Sequence, residues 1–386
     1  MTDPVIPTGA KRSGAQWRDL SSAQTKKGPS APLRSAQGDG VGRRAVLVGV
    51  VLLPLGARVV STAPAGEPIT PALIEAAKKE GKVSYYNAMD LSVVEPMAKA
   101  FEAKFPGIKV QVERSGAERV FNRIAQEMAS KIYRADVVNS SDAAHFIAWK
   151  REGWLAPYLP DDVVKDVAAD MVDADGTYYT QRIHLSAMAY NSKMLAPADA
   201  PKGFVDLLDP KYVGKMVKGH PGYSGTIMTA TQQMARELGW PYFEKLAKQK
   251  VLQVQSATEP PKRIEAGERA IAVDGSDYLF WMSKERGQPI EVVFPVEGTP
   301  QISNPMGIFK SSQNPNAARL LVSWIMSPEG QKFIVDLSGQ YPVNKRVKQK
   351  EGRPALSSLK LWREEPAVVA DKADQIKAQY AKYFKV

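Results

Sequence analysis

The 386-residue chain has no cysteine. That excludes disulfides, thiolate metal sites, cysteine nucleophiles and lipidation at an N-terminal cysteine. It is compatible with an oxidising compartment without requiring one. Histidine is nearly as scarce: His145, His184 and His220 are the three, and none has the HxxxH-type spacing that turns two imidazoles onto one metal. The sequence lacks G-x-S-x-G, H-E-x-x-H and a Walker loop, the local signatures of common hydrolases and nucleotide-binding enzymes. Asp173, Asp175 and Gly176 read as a turn, with too few carboxylates for a calcium loop. No internal repeat is visible. After residue 66 there is no apolar run near the roughly 20 residues that a spanning helix needs.

What is present begins with a leader. Residues 1–42 are polar, basic and without apolar periodicity. Arg43-Arg44 then precede an apolar run, Ala45–Ala57, and the small-residue stretch Ser61-Thr62-Ala63-Pro64-Ala65. A charged segment, a short apolar core and an A-x-A site form a secretory signal, cleaved near Ala65. The paired arginines point to the twin-arginine route, with the general secretory route as the alternative. Residues 1–65 carry nine Lys or Arg against three Asp or Glu, so a formal charge of +11 becomes +5 for the rest. That remainder shows no clustered basic block, which argues against a nucleic-acid partner.

About 320 residues after the leader predict two domains. Pro71–Gly81 reads as a short helix and Lys82–Asn87 as a strand. Val93–Phe105 is a helix, Ile108–Val112 a strand, Ala117–Ala129 a helix, Ala135–Val138 a strand and Ala143–Glu152 a helix. This alternation implies a mostly parallel, helix-covered sheet. Ligand crevices in such sheets lie beyond the carboxyl ends of the strands. Attention therefore falls on Asn87–Asp90, Arg114–Gly116 and Asn139–Asp142. A second α/β unit follows, with strands near Met216–Lys218, Ala270–Val273 and Ile290–Phe294. A helix opens at Gly222-Tyr223-Ser224-Gly225-Thr226.

The order of motifs resembles the ferric-type branch of the periplasmic solute-binding proteins of ABC importers. The resemblance is carried by Leu73–Tyr86 (LIEAAKKEGKVSYY), Ala135–Val138 with Asp142, Gly153–Tyr158 and Ala189–Ser192. It continues through Glu291–Gly298 (EVVFPVEG), Asn314–Arg319, Met326–Gln331 and Tyr341–Val343. It implies an α/β, two-lobed type II periplasmic-binding-protein fold, with mixed sheets covered by helices and two crossing hinge strands. Ala187–Asn191 and Val292–Pro295 are the expected crossings. Lobe 1 would take residues 70–187 with 296–348, and lobe 2 residues 188–295 with 349–386. The implied role is capture of a small polar ligand in the interlobe cleft by a monomer in the periplasm, for an ABC permease. No cofactor is required. A hydrolase using paired carboxylates such as Asp274 and Asp277, or a ligand sensor of the same fold, is the alternative.

Ferric iron is one possible ligand. Iron-binding members carry adjacent tyrosines after the strand corresponding to Ala270–Val273; here Asp277-Tyr278 stand in that place, and both are metal-ligand candidates if iron is bound. A small organic or phosphorylated anion is the other. Tyr223, Ser224 and Thr226 open a helix whose N–H groups favour anions, although Ser224 could simply cap it. Asp90, Ser115, Ser141 and Asp142 follow strands. Arg182 is either an exposed strand residue or a bidentate charge contact. Tyr178-Tyr179 is a packing pair or a ligand-lining pair, and His145 a surface or packing residue.

Overall fold

A computed structural model describes residues 63–386. The paired arginines and the apolar run of the leader lie outside the described residues. In chain order, the first half contains α1 (Pro71–Glu80), β1 (Lys82–Asn87), α2 (Leu91–Lys104), β2 (Lys109–Arg114), α3 (Ala117–Ala129), β3 (Val137–Asn139), α4 (Ala143–Arg151), β4 (Leu155–Ala156), α5 (Asp161–Asp166) and β5 (Tyr179–Leu185). The second half contains β6 (Met188–Asn191), β7 (Met216–Gly219), α6 (Gly225–Leu238), α7 (Trp240–Lys248), β8 (Leu252–Val254), α8 (Glu259–Glu265), β9 (Ile271–Ala272), α9 (Asp277–Glu285) and β10 (Ile290–Val293). The chain returns through β11 (Thr299–Phe309), α10 (Pro315–Met326), α11 (Pro328–Ser338), β12 (Tyr341–Pro342), β13 (Leu361–Trp362) and α12 (Pro366–Phe384).

These elements build two mixed sheets. The first has the order β12-β5-β11-β3-β1-β2, with β4 and β13 also on β11; the second is β10-β6-β9-β7-β8. The alternating βα pattern gives the parallel pairs β1–β2 and β1–β3. The returning β11 runs antiparallel to β3 and β5, so the first sheet is mixed. Each sheet buries its own apolar set: Val83, Tyr85, Phe101, Val137 and Trp324 belong to the first, and Met216, Phe243, Ile271 and Val273 to the second. The amphipathic helices turn their apolar faces to these cores. In α2, Val93, Val94, Met97, Ala98 and Phe101 are buried.

The chain leaves the first sheet at Ser186-Ala187 and returns across 294–298. The segments expected as crossings lie mostly inside the second sheet: β10 pairs antiparallel with β6, Ile290 opposite Asn191 and Val293 opposite Met188. The last 38 residues divide between the halves. β13 pairs with β11 of the first sheet, while α12 lies against α4 as well as α6 and α7. Ala144, Met228, Val369 and Ile376 form one apolar cluster there. Lys377 and Asp371 of α12 form ion pairs with Glu118 and Arg151 of the first half. Assigning all of 349–386 to the second half therefore does not match the packing; α12 spans both because its apolar stripe meets α4 and α6 together.

Candidate ligand-binding site

The ends of the strands and the starts of several helices converge between the two sheets. Ala88, Arg114, Gly116, Ala117, Ser141, Ser224, Thr226, Ser276 and Tyr278 line a cavity there, with Arg182, His184, Asn304 and the 256–258 loop. Most of these residues sit at or just before the first turns of α2, α3, α4, α6 and α9. Each such N-terminus presents a positive dipole end, and its first N–H groups lack intrahelical partners; Asp90, Asp142 and Ser224 each take one of them, at α2, α4 and α6. Among the described residues the cavity lining contains two arginines and no carboxylate.

Arg182 is the centre of the site. It is only 3% exposed, because β5 is buried along its whole length. Its guanidinium donates to amide oxygens alone: Nη1 to Asn139 Oδ1 (3.0 Å) and to Gln181, Nη2 to Asn304 Oδ1 (3.2 Å), and Nε to Gln340. Among the described residues no carboxylate pairs with it, and burial lowers its pKa. A guanidinium has five N–H donors, so one Nη2 donor remains. An unneutralised buried ion carries a desolvation penalty on the order of several kcal/mol. Arg114 adds a second charge; its Nε donates to Met89 O (3.2 Å).

The two halves close over this floor. Thr226 N–H donates to Ser141 Oγ across the gap (3.1 Å). Glycine permits the approach: a Cβ on Gly116 would lie 2.8 Å from Tyr223 O, and one on Gly225 would lie 2.7 Å from Asp142 Cβ. The space left among these residues is about 20 Å³, room for roughly one water.

The sequence-selected residues separate into two groups. Ser141, Arg182, Ser224, Thr226 and Tyr278 line the cavity. Asp90, Ser115, Asp142, Tyr223 and Asp277 do not. Asp90 caps α2 through Ser92 N–H, and Asp142 caps α4 through Ala144 N–H. Ser115 N–H extends the β1–β2 ladder to Asn87 O. Tyr223 is exposed, its ring against His220 and under the Arg119 guanidinium. Asp277 is buried with Oδ1 on Leu185 N–H (2.9 Å), and burial pushes its carboxyl up to about 7. Asp274 is paired to fully buried Lys218 (2.6 Å) and accepts from Gly219 N–H. The two acids suggested for hydrolysis are thus committed to the framework. Among the described residues Tyr278 is the one phenol lining the cavity, pushed up to about 12 by burial. Tyr178 and Tyr179 are packing residues, Tyr178 against Phe146 and Tyr179 in the first core.

Sequence reasoning passed over His184 and Asn304, which line the same cavity. It also passed over a buried cluster of Glu118, Asp142 and His145. His145 Nε2 lies 3.1 Å from Glu118 Oε1 and 3.8 Å from Asp142 Oδ2, and its ring stacks on Phe121. By donor type the three could hold a metal, but Lys377 Nζ stands 2.7 Å from Glu118 Oε2 and supplies the cation. Burial raises the Glu118 pKa, but hydrogen bonds and charge from His145 and Lys377 overcome that and hold it at about 2.

Comparison with known proteins fits this architecture. The family described as bacterial extracellular solute-binding protein matches residues 96–361. A probable ABC transporter periplasmic-binding protein, y4fP of Sinorhizobium fredii, is 24% identical over 276 residues, 69% of this chain and 76% of that protein. The periplasmic binding protein AfuA of Actinobacillus pleuropneumoniae, solved with fructose-6-phosphate, superposes with a TM-score of 0.73 at 24% identity, over 80% of this chain and 99% of that one. Iron-bound HitA of Pseudomonas aeruginosa gives 0.67 at 24% identity, over 78% and 99%.

Proposed function

The chain belongs to the bacterial extracellular solute-binding proteins, and from that premise we propose that its cleft captures a small phosphorylated organic anion. Its role is that of the solute-binding component of an ABC transporter. The observation that carries the choice of ligand is Arg182, a buried cation held by four amide oxygens with one donor left over. An anion there gains charge-assisted hydrogen bonds and removes the desolvation imbalance. Arg114, the hydroxyls of Ser141 and Thr226 and the converging helix starts add donors suited to phosphate oxygens. The solved relative AfuA carries fructose-6-phosphate.

Ferric iron finds weaker support. The cavity offers one phenol and no carboxylate, whereas a hard trivalent cation favours several anionic oxygens.

The cycle we propose is capture in an open cleft, closure through the Ser141–Thr226 contact, and recognition of the closed form by the permease. The protein acts as a monomer, turns over no substrate and binds no nucleic acid. The family is periplasmic, and we assign export to the leader, with cleavage near Ala65. Titration calorimetry with a hexose 6-phosphate, inorganic phosphate, citrate and the free hexose tests the ligand class. Tightest binding of the phosphorylated compounds supports it. Binding of the free hexose equal to its phosphate ester would overturn it. A visible tyrosinate-to-iron band in protein isolated from its own periplasm would redirect the reading to iron.

A further inference from the structure

Three side chains on the floor of the cleft form a chain of hydrogen bonds whose direction is fixed at one end. Asn304 lies opposite Arg182 in the antiparallel β5–β11 pair, where the register shifts between Asn304 and Pro305. Such irregularities re-aim side chains. The Asn304 side-chain amide touches Arg182 Nη2 through one atom (3.2 Å). Its other atom touches His184 Nδ1 (2.9 Å), Ile302 O (3.2 Å) and Arg182 O (3.3 Å). A guanidinium only donates and a carbonyl only accepts. The atom facing Arg182 is therefore the oxygen and the other is the NH₂ group. Two independent constraints thus fix the orientation of the amide.

The consequence passes to the imidazole. With the Asn304 NH₂ aimed at it, His184 Nδ1 must accept, so a neutral ring carries its hydrogen on Nε2. Nε2 faces Thr226 Oγ1 at 3.3 Å, at the start of α6. Thr226 Oγ1 then accepts from the ring, leaving its own hydrogen free for an acceptor in the cleft. The geometry points to Asn304 as a positioning residue for ligand selection: it sets the His184 tautomer so that the floor presents donors and rejects ligands that bring donors of their own. A buried amide serves here because a carboxylate at the same place would neutralise Arg182 and accept a proton-bearing Nδ1. Burial, with the Arg182 charge behind it, pushes the His184 pKa down to about 3, in keeping with a ring held neutral. Tyr278, edge-on at 5.8 Å, is the other titratable group against it.

The inference rests on the reading of the cleft as an anion site, but its first test needs no ligand. Nitrogen-15 NMR of histidine-labelled, unliganded wild-type protein at pH 7 reads the tautomer directly. The expected signal for His184, assigned by its loss in His184→Gln, is the Nε2–H form. An Nδ1–H or doubly protonated ring overturns the inference. In Asn304→Asp, the ring should become protonated on Nδ1, and affinity for a hexose 6-phosphate should fall at least about 100-fold. A variant that is folded by circular dichroism and keeps both the Nε2–H signal and wild-type affinity also overturns it. If the tautomer is as stated but phosphorylated ligands fail to bind the wild type, the anion reading falls and the relay stands.

Discussion

Replacing Arg182 by Gln separates a ligand-binding role from a framework role, because the two respond differently. Without ligand, the substitution removes a buried charge that no carboxylate neutralises. That gain offsets the loss of hydrogen bonds donated by a charged group, each with a net value of about 1.5–3 kcal/mol. The glutamine amide can still donate two. The expected change in unfolding free energy is therefore small, about 2 kcal/mol or less in either direction. Binding has no such offset. The ligand loses a charge-assisted contact worth about 1.5–3 kcal/mol and the neutralisation of a buried cation, so a deficit of about 3–4 kcal/mol is expected. At about 1.4 kcal/mol per decade, that is roughly 140- to 700-fold in Kd. Calorimetry on a hexose 6-phosphate, paired with urea unfolding, measures both numbers. An affinity within about threefold of wild type in a folded Arg182→Gln protein would refute the argument, since the cation would then have no part in the ligand.

Other outcomes follow from the same geometry. Gly225→Ala puts a methyl against Asp142 Cβ and Ala117 Cβ; overpacking of about 1–3 kcal/mol should fall on the closed state, weakening ligand and enlarging the radius of gyration of liganded protein in X-ray scattering. For the Glu118–His145 pair, the signs oppose. His145 is raised above its ordinary 6.5 despite burial, by Asp142 and Glu118, so its contribution is complete below about 6.5 and is lost as pH rises through the folded value. Glu118, held at about 2, contributes above about 4.5 and loses that as pH falls toward 2. His145→Gln should lower stability at pH 6 by on the order of 2 kcal/mol and flatten the alkaline limb of a urea-midpoint profile; an unchanged limb would place the titrating group elsewhere. Ferric citrate added to the purified protein should produce no tyrosinate band, as the described cavity lining offers a single phenol and no carboxylate to a hard trivalent cation; a band lost in Tyr278→Phe would contradict this.

The helices and strands around the cleft were legible because they depend on local periodicity and on glycine and proline stops. The start of α6 at Ser224-Gly225-Thr226 could be read in this way, whereas Arg182, left between an exposed strand residue and a charge contact, proves buried. His184 and Asn304 could not, because they meet only through the pairing of β5 with β11, about 120 residues apart. The available clue was local: β5 reads YTQRIHL with every residue buried, and Gln181, Arg182 and His184 in such a strand need partners. Asp277 misled for the opposite reason. Its place beside Tyr278 implied a shared outlook, but consecutive residues at a helix start point in different directions, and its carboxylate serves Leu185 N–H. The Glu118–Asp142–His145 cluster was hidden because Glu118 comes from a different helix and Lys377 from the far end of the chain.

Arg182, His184, Asn304, Asn139 and Gln340 all belong to the first half, whereas Thr226 and Ser276 belong to the second. Parting the halves therefore leaves the charged floor assembled and removes only the cover. An arriving anion would meet a finished docking point before any closure, and a departing one would be held back mainly by the cover. Substitutions on the floor should then change association and dissociation together, while those at Ser141 or Thr226 should act chiefly on residence time, the quantity that a waiting permease samples.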